Sequence, residues 1–191
     1  MRKIIVREMI TVDGFFAGLN GEIDWHHVDA EFNEQSAEFL DGIDTLIFGR
    51  VTYDLMAGYW PTPEGSKDDP VIADKMNSLS KIVFSKNADM LAWNNSRALS
   101  EIRAEEIRKL KEAPGKDIAI FGSGMIVSAL TELGLIDEYR FVVNPVILGK
   151  GKTLFADLEK KPDLELLDVH EFKSGNVLLS YRMMDRMEGF L

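Results

Sequence analysis

The sequence contains no cysteine and few histidines, and both shortages limit the chemistry available to it. Among its 191 residues there are 0 cysteines and 3 histidines. The absence of cysteine excludes disulfides, thiolate metal sites and cysteine nucleophiles. Two histidines, His26 and His27, are adjacent in a segment predicted to be extended, where neighbouring side chains point in opposite directions. A metal site built from this pair is not expected, and we predict no bound metal.

Long apolar runs and excess positive charge are also missing. No run approaches the roughly 20 residues that span a bilayer. The amino-terminal run is interrupted by Arg7 and Glu8 and has no cleavage site after it, so it predicts a first strand instead of a secretion signal. With 22 Lys and Arg against 32 Asp and Glu, the formal charge of -10 argues against general nucleic-acid or anionic-membrane binding. We expect a cytoplasmic protein that binds a small molecule and neither nucleic acid nor membrane.

Strand patterns alternate with helical patterns and end in an antiparallel hairpin around a Ser-Gly turn. Strands are predicted at 3–10, 44–50, 80–85, 116–122 and 138–148. Helices are predicted at 71–79, 100–113 and 125–135, and two more are predicted to begin at Asp29 and near Thr52. We expect the Thr52 hydroxyl to cap its helix and the proline-rich stretch 60–70 to be a surface loop. The order predicts a three-layer α/β/α fold with a mixed, mostly parallel central sheet and a C-terminal hairpin. A single domain is expected over 1–184, followed by a tail at 185–191.

Three strand-to-helix junctions carry small, hydroxyl or basic residues. They are Gly122-Ser123-Gly124, Gly49-Arg50 with Thr52, and Ser85-Lys86. In an open α/β sheet such junctions meet at the carboxyl ends of the strands, where ligands bind. Glycines let backbone N–H groups approach an anion, a helix start attracts it, and arginine forms bidentate bonds to phosphate. The junctions together predict a cradle for a dinucleotide with an extra phosphate, whereas the Gly-Ser-Gly run alone also fits a simple tight turn.

Four segments of the chain resemble the dihydrofolate reductase superfamily. They are DGFFAG near the amino terminus, GRVTY after the second strand, VFSK after the third, and the long segment from Gly122 to Phe155. The sequence is most similar to the RibD C-terminal branch, the reductase domain of riboflavin biosynthesis, and to the small stand-alone bacterial proteins grouped with it. The resemblance spans nearly the whole chain. It implies a dihydrofolate reductase-like fold without the zinc deaminase domain to which the riboflavin branch is usually fused.

The resemblance also implies NADPH as the hydride donor and a planar nitrogen heterocycle, a pterin or a pyrimidine, as the acceptor. The Gly-Ser-Gly turn would lie against the pyrophosphate, and the other two junctions would hold the phosphates, including the adenosine 2′-phosphate. The residues expected at the cofactor are Ala17, Gly49, Arg50, Val51, Thr52, Ser85, Lys86, Phe121, Gly122, Ser123, Gly124, Met125 and Ile126. Those expected at the substrate are Val12, Trp25, His26 and Tyr53. The riboflavin branch further implies a homodimer, formed through the sheet or the carboxyl-terminal strands.

Hydride transfer to a C=N or C=O bond needs a proton source beside the reacting ring. In dihydrofolate reductase, a carboxylate a few residues after a tryptophan anchors the pterin and assists its protonation. Here the carboxylates after Trp25 are Asp29 and Glu31, which match that position only with a shift. We take these two and Asp13 as candidate catalytic residues, with either adjacent histidine as a further proton source. Two alternatives stay open: a non-catalytic nucleotide- or pterin-binding protein on the same fold, and an acidic interaction module with vestigial pockets.

Overall fold

The structure, a computed structural model, describes residues 1–87, 91–156, 158–159 and 161–184, so the predicted tail at 185–191 lies outside the described residues. The strands found in these ranges are β1 Ile4–Thr11, β2 Ile43–Gly49, β3 Ser80–Phe84, β4 Ser96–Leu99, β5 Asp117–Ile120, β6 Glu138–Asn144, β7 Leu164–Glu171 and β8 Val177–Met183. The helices found there are α1 Ala30–Asp41, α2 Arg50–Ala57, α3 Pro63–Asp68, α4 Pro70–Ser78, α5 Ala104–Glu112 and α6 Gly124–Glu132. In this part of the chain no helix is both long and apolar enough to cross a membrane.

The strands form one sheet in the order β4-β3-β2-β5-β1-β6-β8-β7. Neighbouring strands from β4 to β6 pair in parallel, and the hairpin of β8 and β7 is added antiparallel at the edge of β6. The predicted mixed, mostly parallel sheet with a C-terminal hairpin is confirmed. From β1 the chain extends first to the β2 side and later to the β6 side, so the strand order reverses beside β1. Ligands of open α/β sheets bind outside the carboxyl ends of the strands at such a point.

Alternate residues of the central strands pack against helices on opposite faces of the sheet. On β1, Ile4 and Val6 belong to one core, which includes residues of α5 and α6. Ile5, between them, belongs to a second core with residues of α1, α2 and α4. Parallel strands buried on both faces read as continuous apolar runs, which explains the Ile- and Val-rich strand patterns of the sequence. The three layers expected from the sequence are present.

Helix α2 begins at Arg50, close to the predicted start near Thr52. Its N-cap is Gly49, and no side chain of the described residues makes the capping bond. The predicted capping role of Thr52 is wrong, because this residue already lies in the first turn of the helix. Its side chain lies instead against the backbone of Gly122. The threonine therefore positions the neighbouring junction.

The stretch predicted as a surface loop contains helix α3. Thr62 caps this helix by accepting a hydrogen bond from the Gly65 N–H at 3.3 Å, and Pro63 occupies the start, where an N–H would have no partner. The loop prediction is wrong over this helix. Strand β4, a short edge strand paired with β3, was not predicted, since its four residues form no apolar run.

Candidate active site

The junctions at the ends of β2 and β5 lie against each other. Gly122 has a φ of +66°, and a Cβ atom there would overlap the Thr52 side chain. A Cβ on Gly49 would lie only 2.5 Å from the Ser123 Oγ. Gly49 therefore needs glycine for space, and Gly122 needs it for both space and backbone conformation. The two junctions form one continuous surface at the carboxyl edge of the sheet.

Arg50 connects the third junction to this surface. Its Nη1 donates to the Asn87 carbonyl at 3.4 Å, and its Nε donates to both carboxylate oxygens of Asp54 at 3.0 and 2.8 Å. The Ser85 Oγ accepts a hydrogen bond from the Asn87 N–H at 3.2 Å, and Lys86 is exposed beside it. All three predicted junctions are thus brought together.

The turn before α6 is held on the core side by buried side chains and is open to solvent on the other side. Ser123 is the N-cap with a φ of 63° and makes no capping bond through its side chain within the described residues. Phe121 packs against the second core, and Ile126 is buried in the first. Met125 is 84% exposed and Val51, in the first turn of α2, is 78% exposed. Both helix starts therefore lie at the surface, where they attract anions.

The loop after β1 is held against the loop after β6 by backbone hydrogen bonds. The Val12 N–H donates to the Val146 carbonyl at 3.0 Å, and the Lys152 N–H donates to the Ala17 carbonyl at 2.8 Å. Val12 is exposed, whereas Ala17 is buried. The two loops form a fixed rim on one side of β1.

An open cavity of about 480 Å³ lies beside this rim. Its wall includes Ile10 of β1, Phe141 of β6 and the segment 153–156 with Phe155. The rings of Phe141 and Phe155 meet edge to face, with centroids 6.2 Å apart. Small-molecule sites typically measure about 300–1,000 Å³, and the volume of this open cavity falls within that range. The sequence did not predict it.

Asp13 holds the two loops of the rim together. Its carboxylate accepts hydrogen bonds from the Leu148 N–H at 3.2 Å and the Gly149 N–H at 2.7 Å. A side-chain hydrogen bond from Thr11 lowers the pKa of Asp13, and the two backbone bonds lower it further. The ionised form is therefore stabilised, as suits an acceptor of N–H bonds.

Asp29 and Glu31 also hold backbone groups. Asp29 caps α1 by accepting from the Phe32 N–H at 2.8 Å. Glu31 accepts from the Lys173 N–H at 3.1 Å, in the hairpin turn, and its other oxygen lies 3.6 Å from the His170 Nε2. The structure thus places these two carboxylates at the start of α1 and against the carboxyl-terminal hairpin.

His26 is largely buried beside Trp25. The two rings meet edge to face with centroids 4.5 Å apart, and the Trp25 Nε1 donates to the Glu22 carbonyl at 3.2 Å. Burial lowers the pKa of His26 to about 4, so the imidazole is neutral at neutral pH. Its Nε2 is buried and has no hydrogen-bond partner among the described residues. A ligand that supplies a partner there would satisfy this atom.

Tyr53 was predicted at the substrate but lies in the core. It is 1% exposed and packs against Phe48 and Trp93. Its hydroxyl accepts a hydrogen bond from the Trp93 N–H at 2.8 Å. The side chain points from α2 toward the sheet and does not line the cavity, so it supports the junction from within.

Glu8 is the candidate that sequence reasoning missed. The side chain lies on β1, is 8% exposed, and accepts a hydrogen bond from the Gly122 N–H. Burial raises the pKa of Glu8 to about 8, and the Gly122 bond, which favours the ionised form, offsets only part of this effect. The available signal was its position: Ile4 and Val6 occupy the preceding positions on the same face of the strand and are buried.

The chain is similar to known proteins over nearly its whole length. The family model of the RibD C-terminal domain matches residues 2–178. The chain belongs to the RibD C-terminal domain family. One similar protein, the uncharacterized protein YyaP of Bacillus subtilis (strain 168), is 36% identical over 180 residues, which cover 94% of each chain.

Two solved structures share the fold of this RibD C-terminal domain. The diaminohydroxyphosphoribosylaminopyrimidine deaminase/5-amino-6-(5-phosphoribosylamino)uracil reductase of Thermotoga maritima superposes with a TM-score of 0.68 at 18% identity, over 96% of this chain and 57% of that one. Dihydrofolate reductase of Enterococcus faecalis, complexed with NADP(H) and RAB-propyl, superposes with a TM-score of 0.64 at 17% identity, over 96% and 97% of the two chains. The expected dihydrofolate reductase-like fold is confirmed.

Proposed function

We propose that this RibD C-terminal domain is an NADPH-dependent reductase that transfers a hydride to a small pterin-like or pyrimidine-like heterocycle. The meeting of three strand-to-helix junctions at one edge of the sheet carries the proposal. Two proteins of the same fold support it, because one is a uracil reductase and the other a dihydrofolate reductase bound to NADP(H). When bound, a reduced nicotinamide supplies the hydride, and the chain supplies orientation and a proton.

The turn before α6 fits a pyrophosphate. Glu8 occupies the Gly122 N–H, so we assign the pyrophosphate to the following N–H groups, from Ser123 to Met125. A helix start leaves these groups without intrahelical partners and favours negative charge. A Cβ on Gly124 would lie 2.9 Å from a neighbouring carbonyl oxygen, so this position also requires glycine.

The other two junctions fit the remaining phosphate of NADPH. Arg50, Thr52, Ser85 and Lys86 provide a guanidinium, two hydroxyls and an ammonium at one edge of a chain whose formal charge is -10. The guanidinium is held by Asp54 in a partly exposed pair. Such pairs contribute about 0–1 kcal/mol, so Asp54 competes only weakly with a phosphate for the guanidinium.

Replacing Arg50 with alanine should weaken NADPH binding much more than NADH binding. A hydrogen bond to a charged group contributes about 1.5–3 kcal/mol, so the Kd for NADPH should rise roughly 10- to 100-fold. The Kd for NADH, which lacks the 2′-phosphate, should change little. Titration by nicotinamide fluorescence measures both values. Arg182→Ala removes an exposed arginine that pairs with Glu165 on the carboxyl-terminal hairpin, away from the junctions, and serves as the matched control. Equal weakening of both nucleotides by Arg50→Ala would refute the assignment.

We assign the heterocycle to the rim beside β1, where Val12, Ala17, Trp25 and His26 lie. The Nε2 of His26 is buried and unpartnered, and we propose that ligand binding exposes it to a ring nitrogen or oxygen. Asp13, Asp29 and Glu31 stay candidates for the proton source, although all three carboxylates already accept backbone N–H bonds, Asp13 on both of its oxygens. That engagement favours a second candidate function, a nucleotide- or pterin-binding protein without turnover.

Turnover separates the two functions. The purified protein is mixed with NADPH and either 5-amino-6-(5-phosphoribosylamino)uracil or dihydrofolate, and NADPH oxidation is followed by absorbance. Oxidation that depends on one of these heterocycles supports the reductase. NADPH binding without oxidation in either mixture would favour the binding protein.

We further propose that the protein acts in the cytoplasm as a homodimer assembled through its carboxyl-terminal strands. Strand β7 lies at the edge of the sheet, and Leu166, Leu167 and Val169 on it are 51%, 43% and 51% exposed. Exposed apolar edge strands pair readily, and an added lysine blocks such pairing. Light scattering should therefore give a dimer mass for the wild type and a monomer mass for Val169→Lys. A monomeric wild type would contradict this assembly.

A further inference from the structure

Glu8 lies where the core ends and the cavity begins. Along one face of β1, Val6 belongs to the core, Glu8 follows, and Ile10 forms part of the cavity wall. The residue paired with Glu8 on β6 is Phe141, another residue of the wall. Glu8 is not itself part of the wall, but it lies next to two residues that are, and its carboxyl group is level with the turn that we assign to the pyrophosphate.

Only one oxygen of this carboxyl group is engaged. Oε1 accepts the Gly122 N–H, whereas Oε2 has no hydrogen-bond or ion-pair partner within the described ranges. A single N–H does not compensate for burying a negative charge, and burial raises the pKa of Glu8 to about 8. The protonated form prevails at neutral pH and carries an O–H that can be donated.

No nearby cation neutralises Glu8 in the described part of the chain. Arg7 points to the opposite face, where it donates to two side chains of α1. Arg140 on β6 pairs with Glu138. The charged residue of α6, Glu132, lies in the last turn, away from the junction. The apolar surroundings of Glu8 thus keep its carboxyl group protonated, and none of these charged residues counteracts them.

We propose that Glu8 is the catalytic acid of the reduction, an inference that rests on the proposed function. A bound NADPH would supply a hydride to the carbon of a C=N or C=O bond of the substrate and would itself be oxidised to NADP⁺. The π electrons of that bond move to the nitrogen or oxygen, which takes the proton from the Glu8 Oε2. The carboxylate left behind regains a proton from water.

The other carboxylates of the site are less suited to this role. Asp13 accepts a backbone N–H on each of its two oxygens, so a proton on either oxygen would disrupt one of these bonds. Asp29 and Glu31 each accept a backbone N–H on one oxygen, but they are held at the start of α1 and against the carboxyl-terminal hairpin, and neither belongs to the cavity wall. Glu8 can lose and regain its proton while Oε1 keeps the Gly122 bond. It therefore acts without opening a helix cap or a loop clamp.

The test compares wild type, Glu8→Gln and Glu138→Gln. Glutamine keeps an oxygen for the Gly122 N–H but has no titratable proton. Because general acid catalysis typically contributes about 10²–10⁴-fold, kcat should fall at least about 100-fold in Glu8→Gln, with little change in the Kd for NADPH. Glu138 is a second buried glutamate, paired with Lys3 and Arg140 at the other end of β6, and its variant should keep the wild-type kcat.

Two pH measurements complete the test. The wild-type kcat should be constant below the pKa of Glu8 and fall above it, because the acid must be protonated. In the ligand-free protein, the ¹³C carboxyl resonance that disappears in Glu8→Gln should titrate near pH 8. Titration in the ordinary glutamate range would overturn the inference, since an ionised carboxylate has no proton to give.

The two proposals fail in different ways. Wild-type kcat retained by Glu8→Gln would overturn the role of Glu8 and leave the reductase intact. Absence of NADPH oxidation by the wild type with both heterocycles would overturn the reductase, and the role of Glu8 with it.

Discussion

Replacing Gly122 with alanine should destabilise the protein by about 2–5 kcal/mol and abolish NADPH binding. The φ of +66° is strained for a residue with a Cβ, and the added atom would overlap the Thr52 side chain. The strain costs roughly 1–2 kcal/mol and the overlap about 1–3 kcal/mol. Relief of the overlap would push the β5–α6 turn away from α2 and separate the two junctions. Denaturant unfolding measures the first effect, and nucleotide titration the second.

Gly134 provides the matched control. It has a similar φ of +62°, but a Cβ there would meet nothing within 4 Å. Gly134→Ala should therefore show only the backbone cost, roughly 1–2 kcal/mol, and keep NADPH binding. Equal losses of stability in the two variants, with NADPH still bound by Gly122→Ala, would mean that contact between the junctions does not shape the site.

The free energy of unfolding of the wild type should fall as the pH rises from about 6.5 to 8, by up to about 1.4 kcal/mol per pH unit. Burial raises the pKa of Glu8 from 4.5 to about 8, so across this range the folded protein holds a proton that the unfolded chain has already lost. Below 6.5 a second group opposes it. Burial lowers the pKa of His26 from 6.5 to about 4, so stability from this group rises with pH there. The window between the two is therefore the one that reports Glu8.

Urea unfolding at several pH values, for wild type and Glu8→Gln, measures this effect. The variant should lose the downward slope and be more stable than the wild type at the upper end of the window. Glu138→Gln should keep the slope, since Lys3 and Arg140 hold the pKa of Glu138 low despite its burial. Parallel curves for wild type and Glu8→Gln would show that Glu8 is ionised in the folded protein, against our account.

The order of strands and helices was predictable because each central strand carries a continuous apolar run. The runs around Ile4, Ile47 and Ile120 mark strands buried on both faces, and glycine-bearing junctions follow two of them. The helix α3 was missed because its prolines indicated a loop, although Thr62 followed by Pro63 is itself a helix-start signal. Strand β4 carries no such run and depends on its pairing with β3.

The site was predictable in part. General sheet topology indicated that the three junctions meet, since the carboxyl ends of parallel strands share one edge. The bond between Glu8 and Gly122 joins residues 114 positions apart, and no local pattern shows such a contact. The burial of Tyr53 was equally hidden, because its direction depends on where α2 begins. Local sequence shows which residues are available, and long-range register decides which of them meet.

Titration of the purified protein with NADPH and with NADH, followed by nicotinamide fluorescence, tests the central claim most directly. We predict saturable binding of both nucleotides with a clear preference for NADPH, because the junctions offer a guanidinium, an ammonium and two hydroxyls to the 2′-phosphate. Failure to bind either nucleotide would contradict the account, and the turn at Gly122 would then serve only to connect β5 to α6.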